Sequence, residues 1–308
     1  MVHIKIVRMT IRPRTLYSLI GFTITLVTLI LTSLPSPVAK FIACDVGQGD
    51  AILITKGDTQ VLVDGGPRGD AVLSCLSRHI PFWDRNIELV VFTNTDYDHL
   101  NGLNSVLPRY HIGRIVTGDG VGESDALAQF IDTLKTSNNT VSQVGQGDII
   151  KVGTDNGLTF RVLWPKDPNP ATMTAFDSEI ATGERSRVLG INLVKNTNER
   201  SVVLELDENG YKVLLTGDAG VPSEQELLSE HLLPRVDLLK VAHHGSKYSS
   251  SAPFLATLHP TLAVISVGAK NTYGHPTEET LSRLNDIGAT VRRTDQEGDI
   301  VVNLTKSP

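Results

Sequence analysis

The stretch LVVFTNTDYDHLNG, residues 89–102, decides how this sequence folds and what chemistry it carries. Leu89 to Phe92 are apolar, β-branched or aromatic and read as a buried strand. The strand runs straight into Asp96, Asp98 and His99. One aspartate after a strand is ordinary turn chemistry. Two carboxylates crowded beside an imidazole repel each other unless a cation sits among them.

Working outward, three more loops end apolar runs in the same way. VLVDGG (61–66) carries Asp64, VLLTGDAG (213–220) carries Asp218, and LLKVAHHGSKYSS (238–250) carries His243 and His244. NTYGHP (271–276) adds His275. Taken singly, Asp64 or Asp218 reads as a turn residue and a lone His as surface or core. Taken in order, they place carboxylates and imidazoles at the ends of neighbouring strands, where such groups form a site for Zn²⁺, Mn²⁺ or a similar ion.

The pattern around these loops predicts an α/β fold. Strands are expected at Lys40–Cys44, Ala51–Lys56, Gln60–Val63, Glu88–Phe92, Leu158–Leu163, Ser201–Leu206, Tyr211–Leu215 and Leu262–Val267. Helical periodicity lies in Ala71–His79, Leu100–Leu107, Asp125–Leu134, Ser223–His231 and Glu278–Asp286. The order of adjacent strands followed by alternating strands and helices occurs twice, in residues 38–165 and 200–304. That suggests two sheets back to back with helices outside, a four-layer α/β/β/α sandwich. Residues 165–199 read as a long polar surface loop.

Residues 15–34, TLYSLIGFTITLVTLILTSL, hold no charge and are about as long as a bilayer core. Lys5, Arg8, Arg12 and Arg14 precede them, and Pro35-Ser36-Pro37 follows. This predicts a basic cytoplasmic segment (1–14), a single transmembrane signal-anchor helix (15–34) and an extracytoplasmic domain (38–308) at the cell membrane. A cleaved signal peptide is the rival, and Pro37-Val38-Ala39 suits cleavage poorly. Taking those four basic residues from the chain's 28 leaves 24 against 34 acidic ones, a remainder near −10. Such a domain does not advertise general nucleic-acid binding. Cys44 and Cys75, the only cysteines, read as buried thiols, with a single bridge open to them if the domain is exported.

The order and spacing of the ligand loops resemble the metallo-β-lactamase superfamily. More narrowly, Asp45-Val-Gly-Gln-Gly-Asp-Ala51, Ala242-His-His-Gly-Ser246 and Gly268 through Asn271-Thr-Tyr-Gly-His-Pro276 resemble the hydrolase domain of the ComEC competence family. The resemblance covers residues 40 to about 304. It implies a divalent metal and hydrolysis of a phosphodiester, in DNA taken up from outside. It implies Asp98 and His99 as ligands of one metal position, Asp218 as a bridging carboxylate, and His244 or His243 as the closing imidazole. Asp64 would orient the signature loop behind its ligands. Asp98, His275 and Lys247 would be the catalytic groups, with His275 protonating the leaving oxygen and Lys247 balancing charge on the phosphate.

The sequence departs from the superfamily in two places. Asn94 stands where the signature has its first His, and Asp96 stands for the second. The ligand His between the halves is missing from NLVKNTNERSVVL, where Asn198 is the nearest stand-in. One position therefore keeps Asp98, His99, Asp218 and His244, while the other has Asn94, Asp96 and the shared Asp218. One strong metal site and a weaker, Mn²⁺-favouring second are expected. Ser246 and Ser249–Ser251 either offer hydroxyls to phosphate or cap a helix. Arg109, Arg114, Lys240 and Lys247 are the cations available for a single-stranded DNA groove. A separate DNA-uptake channel protein is an expected partner. The rival readings are a hydrolase of another envelope ester and a metal-depleted binding module.

Overall fold

The computed structural model describes residues 13–306 except 33, 120–121, 123, 138, 155–156, 167–186, 189–190 and 193–196. The basic segment 1–14 and the loop 165–199 fall largely outside the described residues. Helix α1 (Pro13–Thr32) precedes the domain, and its described side chains are exposed. Among the described residues no helix is long and apolar enough to cross a membrane.

The strands are β1 (Lys40–Ala43), β2 (Ile52–Lys56), β3 (Thr59–Val63), β4 (Asn86–Phe92), β5 (His111–Thr117) and β6 (Val141–Gln143). Next come β7 (Ile149–Val152), β8 (Leu158–Trp164), a short pair β9 (Arg187–Val188) and β10 (Ile191–Asn192), then β11 (Val203–Glu208) and β12 (Tyr211–Leu215). The last are β13 (Leu238–Lys240), β14 (Leu262–Ile265), β15 (Thr290–Arg293) and β16 (Ile300–Asn303). Helices α2 (Gly69–His79), α3 (Tyr97–Leu100), α4 (Leu103–Val106) and α5 (Asp125–Ser137) belong to the first half. Helices α6 (Val221–Ser229), α7 (Ala252–Leu258), α8 (Glu278–Asp286) and α9 (Thr294–Glu297) belong to the second.

Two seven-stranded sheets result, in the orders β16-β1-β2-β3-β4-β5-β6 and β15-β14-β13-β12-β11-β8-β7. Each is antiparallel on one side and parallel on the other. The change falls at β3, whose neighbours are antiparallel β2 and parallel β4, and at β12, between antiparallel β11 and parallel β13.

Three cores define the layers. Phe41, Val61, Val63 and Leu89 of the first sheet meet Phe160, Leu204, Val213 and Leu215 of the second. Leu62, Val90 and Phe92 point the other way, under Leu76, Leu103 and Phe130 of α2, α4 and α5. Leu214 and Leu239 likewise pack under Leu227, Phe254 and Leu284 of α6, α7 and α8. The period-2 alternation within β3 and β12 makes the α/β/β/α stack, because these central strands bury apolar side chains on both faces.

Two sequence expectations change. The halves do not divide at 165–200, since β16 returns to pair with β1 while β7 and β8 join the second sheet. Each of these strands extends an antiparallel edge whose backbone groups would otherwise be open. The cysteines are not free thiols: Cys44 and Cys75 form a disulfide, with Cα atoms 5.8 Å apart, tying the end of β1 to α2. Their 31-residue separation hides the pairing, because only the fold lays α2 over the sheet.

Candidate metal centre

Both switch points aim their loops at one place. Asp64 follows β3, Asn94 to His99 follow β4, Asp218 follows β12, and His243 and His244 follow β13. Such crevices at the carboxyl ends of parallel strands are where open α/β sheets hold ligands. The backbone is bent to fit: Asp64, His243 and His244 all have left-handed φ values of 61°, 48° and 54°. Residues with a Cβ avoid that region, at a cost of about 1–2 kcal/mol each, and persist there when surrounding contacts hold them. Two glycines permit the close approach of loops. A Cβ on Gly49 would lie 2.2 Å from the Asp98 carbonyl oxygen, and one on Gly217 would lie 2.8 Å from Thr93 Oγ1.

One ligand atom from each of Asp98, His99, Asp218 and His244 falls within 4.8 Å of the others. His99 is fully buried. Its Nδ1 lies 2.9 Å from Asp64 Oδ2, and its Nε2 lies 3.2 Å from Asp218 Oδ1. Asp64 is itself fixed by Thr93, whose N–H and Oγ1 donate to it at 2.7 and 2.8 Å. His244 Nε2 lies 3.2 Å from Asp98 Oδ2 and 3.6 Å from Asp218 Oδ1. Neither His99 Nε2 nor Asp218 Oδ1 has a hydrogen-bond partner. They are close and buried yet do not point at each other, which is costly unless both aim at a shared cation.

Electrostatics agree with a site built for positive charge. Burial opposes a charged His99, but Asp218 and Asp64 outweigh it and lift its pKa well above the usual value. His244 is likewise lifted to about 10, against burial, by Asp218 and Asp50. Burial works against the charged form of Asp218 too, yet His99 and His244 hold it well below the carboxylate range. Burial raises Asp64. Protons thus bind where a divalent ion would compete for the same nitrogens. Two imidazole nitrogens and two carboxylate oxygens suit Zn²⁺ or Mn²⁺.

The other expected residues fall around this group. His243 is on the rim, its Nε2 3.7 Å from Asp218 Oδ2. Asp96 lines the cleft but accepts from Thr197 Oγ1 at 2.8 Å, and burial raises its pKa. Asn94 is buried with both ends of its amide engaged: Oδ1 accepts from the Asp96 N–H at 2.9 Å and Nδ2 donates to Ser201 Oγ at 3.1 Å. The cleft, about 160 Å³, is also lined by Gln48, Asn198, Tyr273 and His275. Asn198 Oδ1 and His275 Nδ1 are buried there without partners. Asn271 grips the His275 backbone, accepting from its N–H at 3.1 Å and donating to its carbonyl at 2.8 Å. Burial, then His243 and His244, lowers the His275 pKa. The lowered pKa favours the uncharged imidazole, which can accept a proton or donate one hydrogen bond.

Lys247 is placed outside this lining, exposed, with its ammonium 5.2 Å from the Tyr248 ring. Lys240 is not a groove cation, being 1% exposed with Nζ 2.7 Å from Asp50 Oδ2. Arg109 and Arg114 are exposed and bond to the backbone carbonyls of Ser105 and Lys151. Ser246, Ser249 and Ser250 are buried, and Ser251 is the N-cap residue just before α7, with no capping hydrogen bond from its side chain. Glu224 accepts from the backbone N–H groups of Ser250 and Ser251.

Sequence reasoning missed Asp50. It is 2% exposed, and its N–H donates to the Asp98 carbonyl at 3.1 Å. Its Oδ1 lies 3.3 Å from His244 Nδ1. Burial would raise its pKa, but Lys240 and His244 bring it down to about 2. The available signal was an acid closing a Gly-rich turn beside the ligand loops. A larger cleft of about 650 Å³ lies elsewhere, lined by Arg68, Asp70, Arg78 and Asp299. Its charges already pair, Arg68 with Asp70 and Arg78 with Asp299.

The sequence is matched by the model of a known family. The model of the metallo-beta-lactamase superfamily matches residues 44–268, and the chain belongs to that superfamily. Within it, the chain is 27% identical over 279 residues to ComE operon protein 3 of Bacillus subtilis, covering 83% of this chain and 32% of that protein. It is 27% identical over 275 residues to competence protein ComA of Neisseria gonorrhoeae, covering 88% of this chain and 33% of that protein. The chain thus spans about a third of the length of these curated relatives. Among solved structures it is similar to the metallo-beta-lactamase fold protein YhfI from Bacillus subtilis, with TM-score 0.51 and 12% identity, covering 86% of this chain and 99% of that one. That likeness concerns the fold alone.

Proposed function

We propose that the chain is a membrane-anchored, metal-dependent phosphodiesterase that acts on single-stranded DNA outside the cytoplasm during competence-type uptake. The observation that carries the reading is the group of half-buried Asp98 with buried His99, Asp218 and His244, with two orphaned atoms, at the floor of an open polar cleft. The competence name of the Neisseria gonorrhoeae relative favours DNA as the substrate. The uncharged run 15–34 supports an anchor, and the buried Cys44–Cys75 disulfide supports an oxidising compartment. A separate channel protein is the proposed partner, since moving a strand across a membrane is a different task from hydrolysis.

A divalent ion held by these four residues would lower the pKa of a water it binds and polarise the phosphate. The chain's own residues supply the rest. Asp64 and Thr93 lock the His99 ring, presenting Nε2 to the site. The Ser266 carbonyl at 2.9 Å does the same for His244 by accepting from Nδ1–H. Neutral His275 stands at the cleft wall to hydrogen-bond the phosphate or take up a proton. A metal-depleted module is the less favoured reading, because buried carboxylates kept beside unpartnered nitrogens are costly without a ligand.

The test is incubation of the purified chain with single-stranded DNA and Mn²⁺ or Zn²⁺, beside Asp218→Asn. Cleavage by the wild type and none by the variant is expected. If neither ion gives cleavage of DNA while another ester is hydrolysed, the substrate assignment is wrong.

A further inference from the structure

The loop between α2 and β4 exposes two large aromatic rings. Phe82 is 60% exposed and Trp83 45%, packed edge to face with centroids 4.7 Å apart. Nothing in the chemistry described above uses them. Phe82 sits beside the root of α1: Leu29, Leu34 and Pro35 line the same cleft, about 360 Å³, as Ile80, Pro81 and Phe82. Leu34, 56% exposed, and Val38, 36% exposed, continue the apolar surface.

The strands fix how far this patch stands from the metal centre. Phe82 and Trp83 lie just before Asn86, the first residue of β4, and the ligand loop leaves its last residue, Phe92. A seven-residue strand spans about 20–23 Å. β1 runs the same way, from Lys40 in the cleft toward the 45–50 loop that touches Asp98. The aromatic tip and the root of α1 are therefore at one end of the first sheet, and the metal centre is at the other.

We infer that Phe82 and Trp83 form a lipid-interface foot, seated at headgroup level beside the point where α1 enters the bilayer, so that the domain stands upright with its metal centre facing away from the membrane. The amphipathic indole of Trp83 beside an apolar helix end favours this depth, with the hydrocarbon ring of Phe82 packed against it. Continuity with α1 selects lipid over a protein partner as the occupant. The inference rests on the reading of α1 as an anchor.

Trp83 and Trp164 are the only two tryptophans, and Trp164 is buried at 7% exposure. The full chain carrying Trp164→Phe is reconstituted into phosphatidylcholine vesicles, plain or brominated near the headgroup, and floated on a density gradient. The chain is expected to float, and Trp83 to lose emission on the brominated lipid relative to the plain one, as a ring at headgroup level would. Should Trp164→Phe not fold, the difference between wild-type and Trp83→Phe spectra gives the same signal. A chain that floats but keeps its emission, and is quenched by iodide as readily as free tryptophan, overturns the foot while leaving the anchor standing. A chain that does not float overturns both.

Discussion

Lys240→Met is the substitution whose effect the structure defines most closely. Lys240 and Asp50 are 1% and 2% exposed, with Nζ 2.7 Å from Oδ2. Asp50 Oδ1 has no hydrogen-bond partner, so the ammonium is the main compensation for that carboxylate. Methionine keeps most of the volume and removes the charge. Taking away one member of a buried pair costs about 3–5 kcal/mol, because the other charge is left uncompensated. Against a typical domain stability of about 5–15 kcal/mol, that is a large loss. The sign follows from Asp50, whose pKa of about 2 means it is charged at neutral pH and would have to stay so, or take up a proton, without its partner. Because Asp50 also touches Asp98 and His244, metal affinity should fall about 10–100-fold as well, the usual cost of losing support behind a ligand. Urea unfolding followed at buried Trp164, with metal titration of the same protein, measures both. Adding Asp50→Asn removes the stranded charge, and the double variant should regain most of the stability. A Lys240→Met loss under about 1 kcal/mol, or a double variant no more stable than the single, would refute the reasoning, since removing one partner of a buried pair should cost more.

Three further outcomes are expected. Asp98→Ala, His99→Ala and Asp218→Ala should each lose the bound metal and all hydrolysis, whereas Asn94→Ala should keep the metal and lose about 1–3 kcal/mol of stability, because its amide bridges Ser201 and Asp96; metal content and urea midpoints separate the two effects. In the metal-free chain, the His244 pKa of about 10 lies above the ordinary 6.5, so its contribution to stability is complete below pH 6.5 and is lost as pH rises through about 10. Metal must displace this proton and that of His99, so apparent affinity should rise with pH, up to about tenfold per unit for each proton displaced, as metal titrations between pH 6 and 8 would read out. Reducing the Cys44–Cys75 bridge, which closes a loop of 31 residues, should lower stability by roughly 3–4 kcal/mol in a denaturation series with and without reductant.

The ligand loops were legible because each sits where an apolar strand ends in a carboxylate or imidazole, a pattern local to a few residues. Asp64, Asp98, His99, Asp218 and His244 could be picked out that way, and the structure brings them together. What sequence could not give is pairing across long separations. Lys240 looked like a free cation until the fold set it against Asp50, 190 positions earlier. Cys44 and Cys75 looked like thiols until α2 crossed the sheet. Asn94 looked like a weak ligand, and only its neighbours reveal that both ends of its amide are occupied. The exchange of β7, β8 and β16 between sheets was hidden for the same reason, since edge pairing depends on which edge is open rather than on the strand's own residues.

The central claim is that one divalent ion held by Asp98, His99, Asp218 and His244 makes this chain a phosphodiesterase. Its most direct test is the initial rate on a chromogenic phosphodiester as Mn²⁺ or Zn²⁺ is titrated into the chelator-stripped full chain. The rate should be absent without metal and should rise to a plateau at one ion per chain. A rate that survives chelation, or a chain that binds no ion and hydrolyses nothing at any metal concentration, would contradict the claim.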